Sequence, residues 1–244
     1  IEHYRGKMLR PSLLLVSALC TLPPQRDWSS DHLDIAVVVE MTHMASLVHD
    51  DILDDAHLRR QGATINHLAG NETAVMLGDY LFSHAFHLCS QQPDMRVARI
   101  LAHTTNTICE GELLQLANRN NWNLSEEVYF DIIHRKTASL CGTACHLGAL
   151  LSGADAPPCQ HLAHFGTQLG VAFQIIDDLL DLTGDQATVG KTLGRDIQKG
   201  KLTLPMIHHL RQAPSHSPFL DLLPQRTSSH HGDDGLAPPI AAQV

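Results

Sequence analysis

Residues 35–55 read IAVVVEMTHMASLVHDDILDD, an apolar stretch without a turn residue that runs directly into four aspartates. Residues 35–49 are longer than a usual strand, and their apolar side chains recur at helical spacing although the stretch begins with β-branched residues. The pattern predicts a long helix that ends at Asp50 and Asp54. Residues four apart share one helix face, so these two carboxylates repel each other unless cations neutralise them.

A second aspartate pattern with the same spacing, VAFQIIDDLLD at residues 171–181, also follows an apolar segment. A solvated acidic helix face explains one such cluster, since charge runs are usually exposed. Two clusters, each after an apolar segment, favour two buried helices that emerge into a shared cavity. Oxygen ligands favour Mg²⁺, which commonly bridges carboxylates to a substrate's phosphates. A diphosphate is the predicted ligand.

The composition argues against several classes of protein. The net charge of −9 argues against a general nucleic-acid surface. Six irregularly spaced cysteines predict neither a disulfide framework nor a zinc knuckle. No apolar run reaches the roughly 18 residues of a membrane span, so we expect a soluble, cytoplasmic protein without a transmembrane segment. The chain begins with Ile1, which suggests a fragment or a missing upstream segment.

Proline spacing predicts long helices, because residues 25–92 and 94–156 contain none. Asp31 and Ser125 are predicted helix N-caps, and Gly153 marks a break between helices. The fold prediction is an all-α antiparallel helix bundle.

The composition changes after Leu210. Five of the twelve prolines lie between Pro214 and Pro239, mixed with Ser, His, Gly and Asp. Such a segment buries too little apolar surface to fold by itself. We therefore predict one helical domain over residues 1–211 and a low-order Pro/Ser/His-rich tail over residues 212–244.

Nine of the seventeen lysines and arginines lie in or beside motif-like segments. Each one is more simply a surface residue in an exposed ion pair, and only their grouping favours phosphate binding. They are Lys7, Arg10, Arg59, Arg60, Lys136, Lys191, Arg195, Lys199 and Lys201.

Five segments in order resemble the signatures of the trans-polyprenyl diphosphate synthase family, of the long-chain octaprenyl, heptaprenyl and solanesyl kind. They are GKMLRP at 6–11, HDDILD at 49–54, FQIIDDLLD at 173–181, GKTLGRD at 190–196 and GKLTLP at 200–205. The resemblance implies the isoprenoid synthase bundle with a central apolar cavity. It implies condensation of an allylic diphosphate with isopentenyl diphosphate, as for a quinone side chain. It also implies a homodimer, which long products would bring to a membrane surface.

The same resemblance assigns site residues. It implies Mg²⁺ ligands at Asp50, Asp51, Asp54, Asp177, Asp178 and Asp181. Isopentenyl diphosphate would be held by Lys7, Arg10, His43 and Arg60. The allylic diphosphate would be held by Arg59, Lys136, Thr137, Gln174, Lys191 and Lys201. Catalysis would rest chiefly on Asp50, Asp54, Arg59, Lys136, Asp177 and Lys191.

Product length is expected to depend on side chains about one turn before the first cluster, where Ala45 and Ser46 lie. The resemblance implies that bulky aromatic residues at these positions would close the bottom of the product tunnel, so that elongation stops at short products. Small residues here therefore favour products beyond the C20 class. Met41 and Met44 either line a deeper tunnel or belong to the core.

Three other interpretations remain. A non-catalytic subunit of a hetero-oligomeric synthase would keep the fold, although the intact aspartates oppose it. A metal phosphohydrolase of the HD kind is suggested by His49 and Asp50 but leaves the second cluster unexplained. A class I terpene cyclase would need a different second metal motif from Asp177, Asp178 and Asp181.

Overall fold

The computed structural model describes residues 6–59, 62–184 and 194–212, apart from the side chain of Arg195. Most of this part of the chain is helical and its two strands are very short, which confirms the all-α prediction. The predicted tail lies outside the described residues except for Gln212. In order, the elements are α1 (Leu9–Thr21), α2 (Ser30–Leu53), β1 (Leu58–Arg59), β2 (Gly62–Ala63), α3 (Ile65–Ala69), α4 (Asn71–Ser90), α5 (Met95–Ala117), α6 (Glu126–Ile133), a π-helical turn (His134–Ala138), α7 (Ser139–Leu151), α8 (Ala156–Thr183), α9 (Arg195–Gln198) and α10 (Leu204–Gln212).

The helix boundaries follow local chemistry. Ser125 is the N-cap of α6 as predicted, and its hydroxyl accepts a 3.3 Å hydrogen bond from the Val128 amide. Gly153 adopts φ +78° between α7 and α8, which confirms the predicted break. The predicted N-cap at Asp31 is wrong, because α2 starts earlier and Ser29 is its N-cap.

Helix α7 is the centre of the bundle. It packs against α1 and α8, and also against α2 and α5. Most of its residues from Leu140 to Leu150 are buried, as expected for a helix that is apolar on all sides. Gly148 lets α1 approach closely, since a β-carbon there would overlap the Leu14 carbonyl oxygen. No described helix is both long enough and apolar enough to cross a bilayer.

The two aspartate clusters lie at the C-terminal ends of α2 and α8. The apolar segment before the second cluster is only half buried, contrary to the prediction. Phe173 and Ile176 are 49% and 54% exposed, whereas Val171 and Ile175 pack on the cluster that contains Met206 of α10. Helix α8 thus buries one side against its neighbours and leaves the other open within the described residues.

A short antiparallel hairpin of β1 and β2 follows α2, with Leu58 opposite Ala63 and Arg59 opposite Gly62. Its strands are two residues long, too short to show the alternating pattern by which strands are recognised. The hairpin matters because it carries Arg59 back towards the end of α2.

Candidate active site

Asp50 lies in the last turn of α2 beside Lys136 of the π-helical turn. Asp50 Oδ2 and Lys136 Nζ are 3.4 Å apart. The ammonium also contacts the Glu112 carboxylate and donates a 3.0 Å hydrogen bond to Gln115 Oε1. Burial raises the pKa of Asp50. Burial alone would lower the pKa of Lys136, but Asp50 and Glu112 outweigh it and raise that pKa, which keeps the lysine charged.

Asp54 caps the C-terminal end of α2 and is surrounded by cations. Lys201 Nζ is 2.6 Å from Asp54 Oδ2, and Arg119 Nη2 is 2.9 Å from Oδ1. Lys199 donates a hydrogen bond to the Asp54 carbonyl oxygen. Burial raises the pKa of Asp54, but Lys201, Lys136 and Arg119 together lower it overall. Lys199, Lys201 and Arg119 all contact Asp54, so their positive charges compensate the negative end of the α2 dipole.

Asp51 is 1% exposed and pairs with Arg59. The guanidinium contacts both carboxylate oxygens through Nε at 3.0 Å and one of them through Nη2 at 2.7 Å. The structure therefore ties the hairpin arginine to the first cluster. A metal at Asp51 would compete with this forked ion pair, just as a metal at Asp54 would compete with Lys201 and Arg119.

In the second cluster, Asp178 is buried and accepts two hydrogen bonds. Tyr129 OH donates to Oδ2 at 2.6 Å, and Gln174 Nε2 donates to Oδ1 at 2.8 Å. Thr137 in turn donates to Gln174 Oε1 at 3.0 Å. Burial raises the pKa of Asp178 against these two hydrogen bonds, which lower it. The network links α6, the π-helical turn and α8.

Asp181 faces Asp196 across the end of α8. The Asp196 amide donates to Asp181 Oδ2 at 3.3 Å. Burial, together with the carboxylates of Asp181 and Asp178, raises the pKa of Asp196 to about 7. Asp177, on the same turn as Asp178, is partly buried. Four acidic side chains thus share a small region.

A cavity of about 100 Å³ lies between the two clusters. Lys136 contacts Asp50 and Lys201 contacts Asp54, so these two lysines connect the first cluster to the cavity that they line. Asp178 of the second cluster lines the cavity itself. The lining is mainly polar and consists of Gln115, Tyr129, Ile133, Lys136, Thr137, Gln174, Asp178, Asp196, Lys201, Leu202 and Thr203. The structure therefore brings the predicted residues Lys136, Thr137, Gln174, Asp178 and Lys201 together.

The residues predicted to hold isopentenyl diphosphate are not among those that line the cavity. Lys7 is exposed before α1, and Arg10 and His43 are partly buried in α1 and α2. The Arg10 Nε atom is buried without a hydrogen-bond partner among the described atoms. Arg60 and Lys191 lie outside the described residues.

The predicted product-length residues also lie apart from this cavity. Ala45 is fully buried in α2. Ser46 is partly buried, and its hydroxyl donates to the His43 carbonyl oxygen at 2.8 Å.

Sequence reasoning missed Glu112, Gln115, Arg119 and Tyr129. Tyr129 and Lys136 are seven residues apart, close to two helical turns, and this spacing could have placed both on one face. The others carry no comparable signal. The π-helical turn was also missed, although such turns are frequent at functional sites.

Residues 1–233 match the sequence model of the Polyprenyl synthetase family. The chain belongs to this family. It is 36% identical over 203 residues to octaprenyl diphosphate synthase of Escherichia coli (strain K12), covering 83% of this chain and 62% of that protein. It is 39% identical to heptaprenyl diphosphate synthase component 2 of Geobacillus stearothermophilus, covering 84% and 63%. The chain thus spans less than two thirds of the length of these curated relatives.

Solved polyprenyl synthases share the fold. A decaprenyl diphosphate synthase from Rhodobacter capsulatus superposes with a TM-score of 0.80 at 40% identity, covering 87% of this chain and 64% of that one. A polyprenyl synthase from Caulobacter crescentus complexed with calcium and isoprenyl diphosphate gives 0.79 at 38% identity, covering 85% and 62%. The bundle is therefore the polyprenyl synthase bundle, as predicted.

Proposed function

We propose that the chain is a trans-prenyltransferase, which condenses an allylic diphosphate such as farnesyl or geranylgeranyl diphosphate with isopentenyl diphosphate. The observation that carries the proposal is the small cavity where Lys136, Lys201 and Asp178 meet, between two helix ends that carry aspartates. Family membership supports it, and relatives named octaprenyl and heptaprenyl diphosphate synthases favour long all-trans products.

The aspartates fit Mg²⁺. Their donors are carboxylate oxygens, which this hard cation prefers. Within the described residues, no three acidic, histidine or cysteine side chains are already gathered as ligands. Mg²⁺ needs no such cage, because it usually keeps several waters and uses one or two carboxylates together with substrate phosphates. Asp50 and Asp54 on one side, and Asp177, Asp178 and Asp181 on the other, would hold it.

The chain's own residues would then act on the allylic diphosphate. Lys136 and Lys201 carry fixed positive charge into the cavity, where they would stabilise the charge that builds on the leaving diphosphate as its C–O bond breaks. Bound Mg²⁺ would neutralise further phosphate charge. Thr137 and Gln174 orient Asp178 through their hydrogen bonds. The alkene of isopentenyl diphosphate would form a C–C bond to the allylic carbon as the C–O bond to diphosphate breaks. The released diphosphate would accept the proton whose loss restores an allylic product.

The test is incubation with Mg²⁺, farnesyl diphosphate and labelled isopentenyl diphosphate, followed by chromatography of the dephosphorylated products. We expect prenols longer than C20 from the wild type, and at least about 100-fold less product from Asp50→Ala and Asp178→Asn, which remove carboxylates that would hold the charge-stabilising Mg²⁺. Asp55→Asn is the matched control, since Asp55 belongs to the same acidic run but its side chain is 86% exposed. No incorporation by folded wild-type protein would refute the proposal that this chain acts by itself as a prenyltransferase.

We also propose a homodimer. The relative named component 2 of heptaprenyl diphosphate synthase makes a second, different subunit the specific alternative. If the chain alone lacks activity but gains it with a partner, a hetero-oligomeric synthase is the better description.

A further inference from the structure

The turn after α5 and the loop before α10 meet beside Asp54. The Asn120 amide donates a 2.8 Å hydrogen bond to the Gly200 carbonyl oxygen. Both residues have positive φ, +60° for Asn120 and +69° for Gly200, which Asn and Gly tolerate best. A β-carbon on Gly200 would overlap the Asn120 side chain. This close contact fixes Arg119, the neighbour of Asn120, relative to Lys201.

Arg119 and Lys201 divide the Asp54 carboxylate between them. Arg119 Nη2 donates to Oδ1 at 2.9 Å and to the Leu53 carbonyl oxygen at 3.2 Å, while Lys201 donates to Oδ2 at 2.6 Å. Both oxygens that a divalent cation would use are therefore already neutralised. A divalent cation at Asp54 must share these oxygens with the two side chains or displace one of them, and in either case their positive charges oppose its binding.

The two cations are not equivalent. The Lys201 side chain is 10% exposed and lines the cavity, whereas that of Arg119 is 27% exposed and is not among the residues that line it. The Arg119 Nε atom is buried without a hydrogen-bond partner among the described atoms. Its guanidinium is thus anchored on one edge only, so Arg119 is the cation that leaves more easily.

We propose that Arg119 is a built-in competitor for the metal at Asp54. It neutralises the carboxylate before Mg²⁺ arrives, and its displacement sets the Mg²⁺ concentration that the first cluster requires. Arg119 is a positioning residue and not a catalytic one. The inference rests on the proposed function, because it takes Asp54 as a metal ligand.

The test is titration of the full 244-residue chain with Mg²⁺ alone at constant ionic strength, with the thermal unfolding midpoint as the readout. For Arg119→Gln we expect the Mg²⁺ concentration that gives half of the stabilisation to fall about three- to tenfold, since one partly buried competing charge is removed. Arg119→Met retains the apolar stem and provides the same measurement if the Gln variant unfolds. Arg119→Lys keeps a cation and should stay within about twofold of wild type.

Arg96→Gln is the matched control, because Arg96 pairs with Asp94 at the other end of α5. It should leave the Mg²⁺ requirement unchanged. A folded Arg119→Gln or Arg119→Met chain that needs as much Mg²⁺ as wild type, or more, overturns the role of Arg119 alone. A wild-type chain that Mg²⁺ stabilises neither alone nor with inorganic diphosphate present overturns this role together with the metal site of the proposed function.

Discussion

At the residue scale, Tyr129 fixes the orientation of the Asp178 carboxylate at the cavity. Both side chains are buried, and the tyrosine hydroxyl donates a 2.6 Å hydrogen bond to the carboxylate. In Tyr129→Phe, one oxygen of a buried acid loses its donor. We expect the free energy of unfolding to fall by about 1–3 kcal/mol, the usual cost of leaving a buried polar group without its hydrogen-bond partner, as measured by urea denaturation.

Tyr80→Phe is the matched control for this measurement, because Tyr80 is 62% exposed on α4. It should change the unfolding free energy by less than about 0.5 kcal/mol. Equal losses in the two variants would show that the Asp178 hydrogen bond contributes little.

Ser46 provides a second prediction at the same scale. It is partly buried one turn before Asp50, so a larger side chain there has more room than at the fully buried Ala45. If a tunnel for the growing chain passes this point, Ser46→Phe should shorten the main product by at least one C5 unit while incorporation continues. Chromatography of the dephosphorylated products measures this. Unchanged product length in an active variant would place the tunnel elsewhere.

At the element scale, His32 joins the start of α2 to the ends of α1 and α7. Its Nδ1 accepts a 3.1 Å hydrogen bond from the Ser29 amide, and its Nε2 lies 3.1 Å from Ser152 Oγ. Ser152 Oγ in turn donates to the Ala18 carbonyl oxygen at 3.2 Å. Burial lowers the pKa of His32 below its ordinary value of 6.5.

The lowered pKa of His32 predicts a pH dependence. The unfolded chain takes up a proton near pH 6.5 while the native chain resists it, so stability is present above this pH and is lost as pH falls towards the lower native pKa. His32→Gln should be less stable than wild type at pH 7.5, and the difference should shrink by pH 5. Thermal unfolding across this range measures it. The exposed His161→Gln is the control, and a pH-independent difference for His32→Gln would contradict the prediction.

The helix ends illustrate what the sequence could and could not reveal. The repeated spacing predicted that Asp50 lies on one helix face with Asp54, and Asp177 with Asp181, because residues four apart on a helix share a face. Nothing local indicated that Arg119 reaches Asp54, since 65 residues separate the two and only tertiary packing sets the register. The exposure of Phe173 was mispredicted for a related reason. Apolar content shows that a helix has something to bury, but not which neighbour covers each side.

At the scale of the whole molecule, large apolar side chains remain at the surface of the described residues, among them Val16, Leu68 and Leu113. Exposed apolar surface of this kind favours association. We expect light scattering to give twice the mass of one chain at micromolar concentration. A monomer at that concentration would contradict the homodimer, and a stable complex only with a different protein would favour the two-component alternative.

The π-helical turn at His134–Ala138 sets the rotation of α7 relative to α6. Each residue of an α-helix advances the chain by about 100° around the axis, so the extra residue of a π turn rotates everything after it by about that angle. The number of residues in the turn, and not any one side chain, therefore sets how Tyr129 before the turn is aligned with the buried residues of α7 after it. Substitutions within the turn should therefore destabilise the fold less than the loss of a single residue, which would put the two halves of the helix out of phase.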